Sequence, residues 1–424
     1  MEYIEKTLKE VHGEEKIVVL NAKSNNFGMT YDGVDVCGQR LANEIQSFVQ
    51  DLANTHKRVT RCAMIGYSLG GLIVRYAIGI LGREGFFDTI EPISYAAFAA
   101  PHLGARRAPE SLYDVTFNFF GTYLLSRTGD QLQLCDNFQD GQRLLEVLAD
   151  PQREYFQYLA RFKHRTLYAN LINERTITFW SSTIQPGNPY RDIMDKDYKL
   201  TRHPDYPSVI TSISLPEKPR PWSYSYNRWY LKYKDYFSTI VAYALAPLWF
   251  PLVVLWGCYQ HVSSRMRLAK EYPYLRDGNG SPRLLSRRSS ASSSSSESVA
   301  TESSKLLQGV SSGYWSINDG DDDTIMIHLN NPEDKRYVFD TTRKKEEDFS
   351  SIRPLPKLYS EFKSPTLSEC QLRILHNLGL LSWNRVLLYI DSVNAHATMI
   401  CRTKEYINDD GRVSVKHFVD TIQL

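Results

Sequence analysis

Residues 62–77 read CAMIGYSLGGLIVRYA, and this stretch decides the fold. The apolar run at its start predicts a buried strand, and the apolar spacing near its end predicts a helix. Between them, residues 66–70 follow the pattern G-x-S-x-G, which in this context is typical of a nucleophile elbow. We therefore predict Ser68 as a nucleophile. We also expect Gly66 and Gly70 to be required, because a side chain at either position would crowd the turn.

Apolar runs alternate with helical patterns on both sides of this stretch. Helices are predicted at residues 1–11, 38–52 and 367–381, and strands at 17–20, 62–65, 93–100, 167–171 and 386–390. Strands separated by helices favour a mostly parallel sheet covered on both faces. The sequence therefore predicts an α/β architecture.

Composition divides the chain into four parts. Residues 1–223 and 361–424 carry the α/β pattern, as the first and last parts of one domain. Residues 224–270 are an apolar segment that we predict to associate with a membrane. Residues 271–360 are rich in serine and charge, which predicts a disordered insertion.

The apolar segment allows three interpretations. Residues 236–264 contain no Asp, Glu, Lys or Arg, and basic residues flank both ends. Its length permits one membrane-spanning helix, kinked at Pro247 and Pro251. The two prolines at its midpoint favour a hairpin that enters and leaves one membrane face. A buried apolar lid or core segment is the third interpretation.

Charge and cysteine content narrow the class of protein. The 424 residues carry a net charge of +2, which gives no argument for nucleic-acid binding. Six cysteines are scattered without metal-ligand spacing, which favours reduced thiols in a cytosol-facing protein. No metal cluster or phosphate-binding loop is recognisable, so no cofactor is predicted.

A serine nucleophile needs a histidine base, and in α/β sheets of this kind the base comes late in the chain. His396 lies just beyond the last apolar strand, where functional side chains gather. His417 is the competitor, although its neighbours predict a terminal helix. His102 also follows a strand end, but it precedes the region where the acid is expected, so we predict a structural or site-lining role.

The imidazole in turn needs a carboxylate to fix its orientation. Glu174 is the first carboxylate after the predicted strand at residues 167–171. A surface ion pair with Arg175 is the alternative explanation for Glu174. Asp192, Asp195 and Asp197 also stay open as the acid.

These motifs resemble the eukaryotic serine esterase family of lipase-like proteins. The resemblance rests on the elbow region, on residues 32–42, on Pro101-His102-Leu103-Gly104 and on Ala395-His396. It is strongest toward fungal lipid-droplet phospholipases. It implies an α/β-hydrolase fold and acyl-ester hydrolysis, with Ser68 as nucleophile and His396 as base. In relatives the acid is usually an Asp, whereas Glu174 stands at that position here.

One element of the family pattern is not found in the sequence. Relatives begin with an apolar strand and a His-Gly loop that donates one amide to the oxyanion hole, whereas this sequence starts with a predicted helix. The backbone amide of Leu69 is then the remaining predicted donor. Losing one donor typically costs on the order of 10² to 10³ in rate. We therefore expect Met1 to be internal to the true reading frame, or the gene product to be truncated.

The resemblance implies release of fatty acids from glycerophospholipids at a lipid-droplet or endoplasmic reticulum surface. A lipase acting on monoacylglycerol or neutral lipids would use the same residues. A membrane-bound scaffold, inactive because the oxyanion strand is missing, is the alternative outside the enzymes. Head-group preference and oligomeric state stay open.

Overall fold

The computed structural model describes residues 1–109, 112–172, 174, 176–188, 190, 199–214, 250–272 and 367–424. Within these ranges, six strands form one sheet: β1 (Arg61–Tyr67), β2 (Glu91–Phe98), β3 (His164–Asn170), β4 (Lys199–Arg202), β5 (Val209–Ser214) and β6 (Asn384–Leu388). Their spatial order is β1-β2-β3-β6-β5-β4. Strands from both ends of the chain therefore share one sheet.

The sheet is mixed but mostly parallel. The pairs β1–β2, β2–β3 and β3–β6 are parallel, whereas β6–β5 and β5–β4 are antiparallel. This confirms the predicted α/β class with a mostly parallel sheet. The antiparallel edge was not predicted. Lys199–Arg202 is short and mostly exposed, so it has no apolar run to reveal it.

Helices connect and cover the strands. They are α1 (Glu2–His12), α2 (Val34–Asn54), α3 (Leu69–Arg83), α4 (Leu112–Leu124), α5 (Ser126–Leu132), α6 (Leu144–Ala149), α7 (Glu154–Ala160), α8 (Phe179–Thr183), α9 (residues 250–271), α10 (Glu369–Leu378), α11 (Ala395–Thr398) and α12 (Asp409–Thr421). Short 3₁₀ helices occur at Phe27–Asp32, Phe86–Asp88 and Lys404–Tyr406.

The core lies on both faces of the sheet. Tyr95 and Ala97 of β2 belong to one apolar cluster, with residues of α2, α3, α6, α7 and α10. Ala96 and Phe98 belong to another, with residues of α1 and α12. Successive side chains of a strand point to opposite faces, so alternate residues of a fully apolar strand fill both clusters.

One prediction near the start of the chain was wrong. Residues 17–20 are not a strand, because Ile17 and Val19 pack against an apolar cluster without joining the hydrogen-bonded ladder. The first helix buries Ile4 and Leu8 as expected, whereas Val11 is 53% exposed. An apolar run of four residues does not by itself distinguish a strand from a packed extended segment.

The described part of the apolar segment is α9. No helix among the described residues is both long and apolar enough to cross a membrane. Residues 224–249 of the predicted membrane-associating segment, which include Pro247, lie outside the described residues. So do residues 273–360 of the predicted insertion.

Candidate active site

Ser68 stands at a strained turn between β1 and α3. Its backbone has φ 53° and ψ −127°, a left-handed φ that residues other than glycine rarely adopt. Its amide donates to the carbonyl of Phe98 at 2.8 Å, which fixes the turn against the end of β2. Such strain persists only where the surroundings hold it, and it is common at functional sites.

Close packing requires a glycine at one of the two positions that flank the elbow. A Cβ on Gly66 would lie 2.5 Å from the Cα of Gly71, so no side chain fits there. The same requirement predicted for Gly70 is wrong, because a Cβ there would meet nothing within 4 Å. The second crowded position is Gly71, where a Cβ would lie 2.4 Å from the Cβ of Ala100.

Glu174 and His396 contact each other. The Nδ1 of His396 lies 3.1 Å from Oε2 of Glu174, and both side chains are largely buried. The second carboxylate oxygen of Glu174 accepts from the amides of Thr176 and Ile177. A carboxylate can only accept, so Nδ1 donates to Glu174, and in the neutral imidazole Nε2 is then an acceptor. That is the tautomer a general base needs.

The loops that carry these two residues are joined at the ends of adjacent strands. Asn170, the last residue of β3, accepts from the amide of Ile390 at 2.9 Å and donates to its carbonyl at 3.1 Å. The amide of Leu171 donates to Leu388 at 2.9 Å. Asn170 therefore fixes the chain entering the Glu174 loop against the chain that leads to His396. Sequence reasoning missed Asn170.

Tyr67 connects His396 to the elbow. The ring centroids of Tyr67 and His396 are 4.8 Å apart, and the phenol donates to the His396 carbonyl at 3.2 Å. Because Tyr67 directly precedes Ser68, the candidate base is packed against the residue next to the candidate nucleophile. Sequence reasoning missed this role too, although a Tyr next to the elbow serine was the available signal.

Leu69 begins α3. The first amides of a helix have no acceptor within the helix, so they can bind an oxyanion. Ser68 and Leu69 are adjacent, which puts this amide beside the serine. The role of Leu69 as an oxyanion donor stays a prediction.

His102 lies in the interior, with no exposed surface. Its Nδ1 is 3.4 Å from the guanidinium of Arg75, and its ring packs against Trp383. Burial, and then the charge of Arg75, hold the pKa of His102 well below its usual value. His102 is therefore a neutral, packed ring in this structure, and a site-lining role stays a prediction.

The alternative candidates are placed differently. His417 lies in α12, where its Nδ1 is 3.0 Å from the phenol oxygen of Tyr168. Asp192, Asp195 and Asp197 lie outside the described residues. No group of three or more metal-ligating side chains occurs in the part of the chain that the structure describes.

The chain is similar to known esterases and lipases. Residues 1–184 match the family described as putative serine esterase (DUF676). The matched region contains Ser68 and Glu174, and it ends before His396.

Three curated proteins are similar to part of the chain. Putative lipase ROG1 of Saccharomyces cerevisiae is 30% identical over 51% of this chain and 30% of its own length. Putative lipase C4A8.10 of Schizosaccharomyces pombe is 26% identical over 44% of this chain and 24% of its own. Putative lipase YDL109C of S. cerevisiae is 29% identical over 43% of this chain and 28% of its own length. The matched region thus spans less than a third of each relative, and no solved structure matches significantly.

Proposed function

We propose that this protein is a serine acyl hydrolase that releases fatty acids from glycerophospholipids. The observation that carries the proposal is the Glu174–His396 pair, packed through Tyr67 against the strained turn at Ser68. Strand, serine, helix, then an acid after β3 and a histidine after β6, is the chain order of α/β-hydrolases. We include that fold in the proposal.

The reaction follows from the tautomer of His396. Ser68 Oγ attacks the ester carbonyl carbon while Nε2 of His396 takes the hydroxyl proton, and Glu174 stabilises the imidazolium. Collapse of the tetrahedral intermediate expels the alcohol, which takes the proton from Nε2. Water then attacks the acyl-serine with the same base, which releases the fatty acid and restores Ser68.

Backbone amides stabilise the negative charge that forms in the reaction. The carbonyl oxygen becomes negative in the tetrahedral intermediate, and the Leu69 amide at the start of α3 is the donor that we propose for it. The positive end of the α3 dipole favours the same charge. A second donor is needed for full stabilisation.

Lipids are the substrate class that the comparisons support. The matched relatives carry the name lipase. The resemblance of the motifs to fungal lipid-droplet phospholipases supports phospholipids and a droplet or endoplasmic reticulum surface. Monoacylglycerol uses the same ester chemistry, and the chemistry of Ser68 and His396 does not discriminate between the two substrates.

Purified protein tests the proposal with labelled phosphatidylcholine and monoacylglycerol in parallel. Ser68→Ala should abolish fatty-acid release from both. Ser47→Ala, at an exposed serine of α2, is the matched control and should retain full activity. Faster release from monoacylglycerol would replace the phospholipid assignment. An inactive parent protein would favour a scaffold, and an active Ser68→Ala variant would contradict the mechanism.

A further inference from the structure

Helix α9 presents its polar side to the rest of the protein. Its docked residues recur every three or four positions, which places them on one side of the helix. They are Gly257, Gln260, Ser264, Arg267 and Glu271. A helix that covers a core normally buries its apolar side, whereas α9 turns its polar side toward the protein.

Ion pairs and close contacts hold this polar side in place. Arg267 donates to Asp32 at 2.8 Å and to the carbonyl of Gly28 at 2.7 Å, and Asp32 has no exposed surface. Arg40 joins Asp32 to Glu271, with 2.8 Å to each carboxylate. Charged contacts thus hold the C-terminal half of α9 in this orientation.

The opposite side of α9 is apolar and exposed. Its six most prominent side chains are 54–66% exposed, namely Leu252, Leu255, Trp256, Tyr259, Val262 and Met266. Residues 250–264 contain no Asp, Glu, Lys or Arg. Large exposed apolar patches on soluble domains mark binding surfaces.

Helix α4 extends this surface. Gly257 lies against Leu124, where a Cβ would be 2.4 Å from its Cδ2, and the rings of Phe120 and Phe250 are 5.0 Å apart. The outward side of α4 carries further exposed apolar residues at intervals of four, which are Val115, Phe119 and Tyr123. The two packed helices thus each expose apolar side chains, which we together call the α4–α9 face.

We propose that the α4–α9 face inserts into the interfacial region of a lipid surface. The inference rests on the proposed function, and it specifies how that site meets its substrate. Trp256, Tyr259 and Tyr123 are amphipathic rings of the kind enriched at membrane interfaces. Exposed Arg265 and Lys270 follow the charge-free stretch and suit anionic head groups. That combination fits a lipid surface better than the interior of a protein complex.

The contact that anchors α9 lies at the same end of the molecule as Ser68. Helices α2 and α3 are parallel, because Gly38 contacts Tyr76 and Gln46 donates to Glu84, two pairs with the same sequence offset of 38. The start of α2 is therefore level with the first turn of α3, which follows Ser68. Asp32, which anchors α9, lies two residues before that start.

Vesicle flotation tests the inference independently of catalysis. Protein carrying Ser68→Ala is floated with vesicles of phosphatidylcholine and phosphatidylserine, with and without Trp256→Asp and Met266→Asp. The two aspartates should lower the partition coefficient at least tenfold, because each replaces apolar burial by a charge at the interface. The matched control is Val11→Asp with Val18→Asp, which places the same charges on valines 53% and 50% exposed elsewhere. It should float like the parent.

Three results would overturn the inference. These are a parent that does not float, an α4–α9 variant that floats as well as the control, or a variant that loses self-association in sedimentation while vesicle binding is unchanged. The last would make the face an interface between copies of the chain. Hydrolysis of a soluble short-chain ester by protein with an intact Ser68 is measured separately. It reports on the proposed function, so failure of either proposal is visible alone.

Discussion

Tyr67 makes two contacts with His396. Its phenol donates to the backbone carbonyl of His396 at 3.2 Å, and the centroid of its ring lies 4.8 Å from that of the imidazole. The residue before the candidate nucleophile thereby positions the candidate base. Tyr67→Phe keeps the ring and loses the hydrogen bond. We expect kcat on a soluble ester to fall about 2- to 10-fold, with KM unchanged.

Tyr206→Phe is the matched control, because it removes a phenol that donates to Asp420 away from the site. It should leave kcat unchanged. Equal kcat in Tyr67→Phe and the parent would contradict a positioning role for the phenol.

Glu174→Gln tests the acid. The amide can donate to Nδ1, which would favour the tautomer with its proton on Nε2 and remove the base from Ser68. We expect kcat to fall on the order of 10³ to 10⁴ with the fold intact. Glu154→Gln, which disrupts an ion pair with Arg83, should be active. A Glu174→Gln variant within a few-fold of the parent would move the acid to another carboxylate.

The glycines of the elbow provide a matched pair. Gly71→Ala places a methyl 2.4 Å from the Cβ of Ala100, so we expect it to lower the free energy of unfolding by about 1–3 kcal/mol. Gly70→Ala enters open space on a helix and should be neutral or stabilising by up to about 1 kcal/mol. Chemical denaturation of both variants measures this difference. Equal destabilisation would contradict the packing described for the elbow.

Asp32→Asn tests the anchoring of α9. The substitution leaves Arg40 and Arg267 without a buried carboxylate, which should cost about 3 kcal/mol. Hydrogen exchange should accelerate in residues 250–271 before it does in β2 or β3. Asp409→Asn, at a carboxylate 99% exposed, is the control. Unchanged exchange in α9 would show that Asp32 does not hold it.

Because of His417, we expect the folded protein to lose stability in acid. Burial first, and then the charge of His203, lower the pKa of His417 to about 4 from a usual 6.5. The unfolded chain therefore binds a proton that the folded one resists between pH 6.5 and 4, so stability falls as pH falls through that window. His417→Gln should remove about 1–3 kcal/mol of this pH dependence.

Denaturation at pH 7 and at pH 4 measures the effect of His417. His164→Gln, at an exposed histidine of β3, should keep the pH dependence of the parent. The same slope in His417→Gln would assign the acid sensitivity to another group.

Local patterns predicted much of the sheet. β1, β2, β3 and β6 were found because each contains an apolar run. β4 and β5 were missed, because β4 is a mostly exposed edge strand and β5 interrupts its apolar residues with Thr and Ser, so neither contains a long apolar run. Residues 17–20 were wrongly predicted as a strand, because their apolar side chains pack although their backbone pairs with no other strand.

The sequence alone was enough to predict the turn at Ser68 and a candidate serine, acid and histidine in that order. Each prediction depended on neighbouring residues, which set the sterics of a turn and the end of a strand. Only the tertiary structure decided which carboxylate meets His396, since 222 positions separate it from Glu174 and the pairing of β3 with β6 brings them together. It also decided that Gly71 rather than Gly70 is crowded, because Ala100 comes from another strand end. The tertiary structure also decided that the apolar side of α9 faces outward, because Asp32 and Arg40, far away in the sequence, bind its polar side.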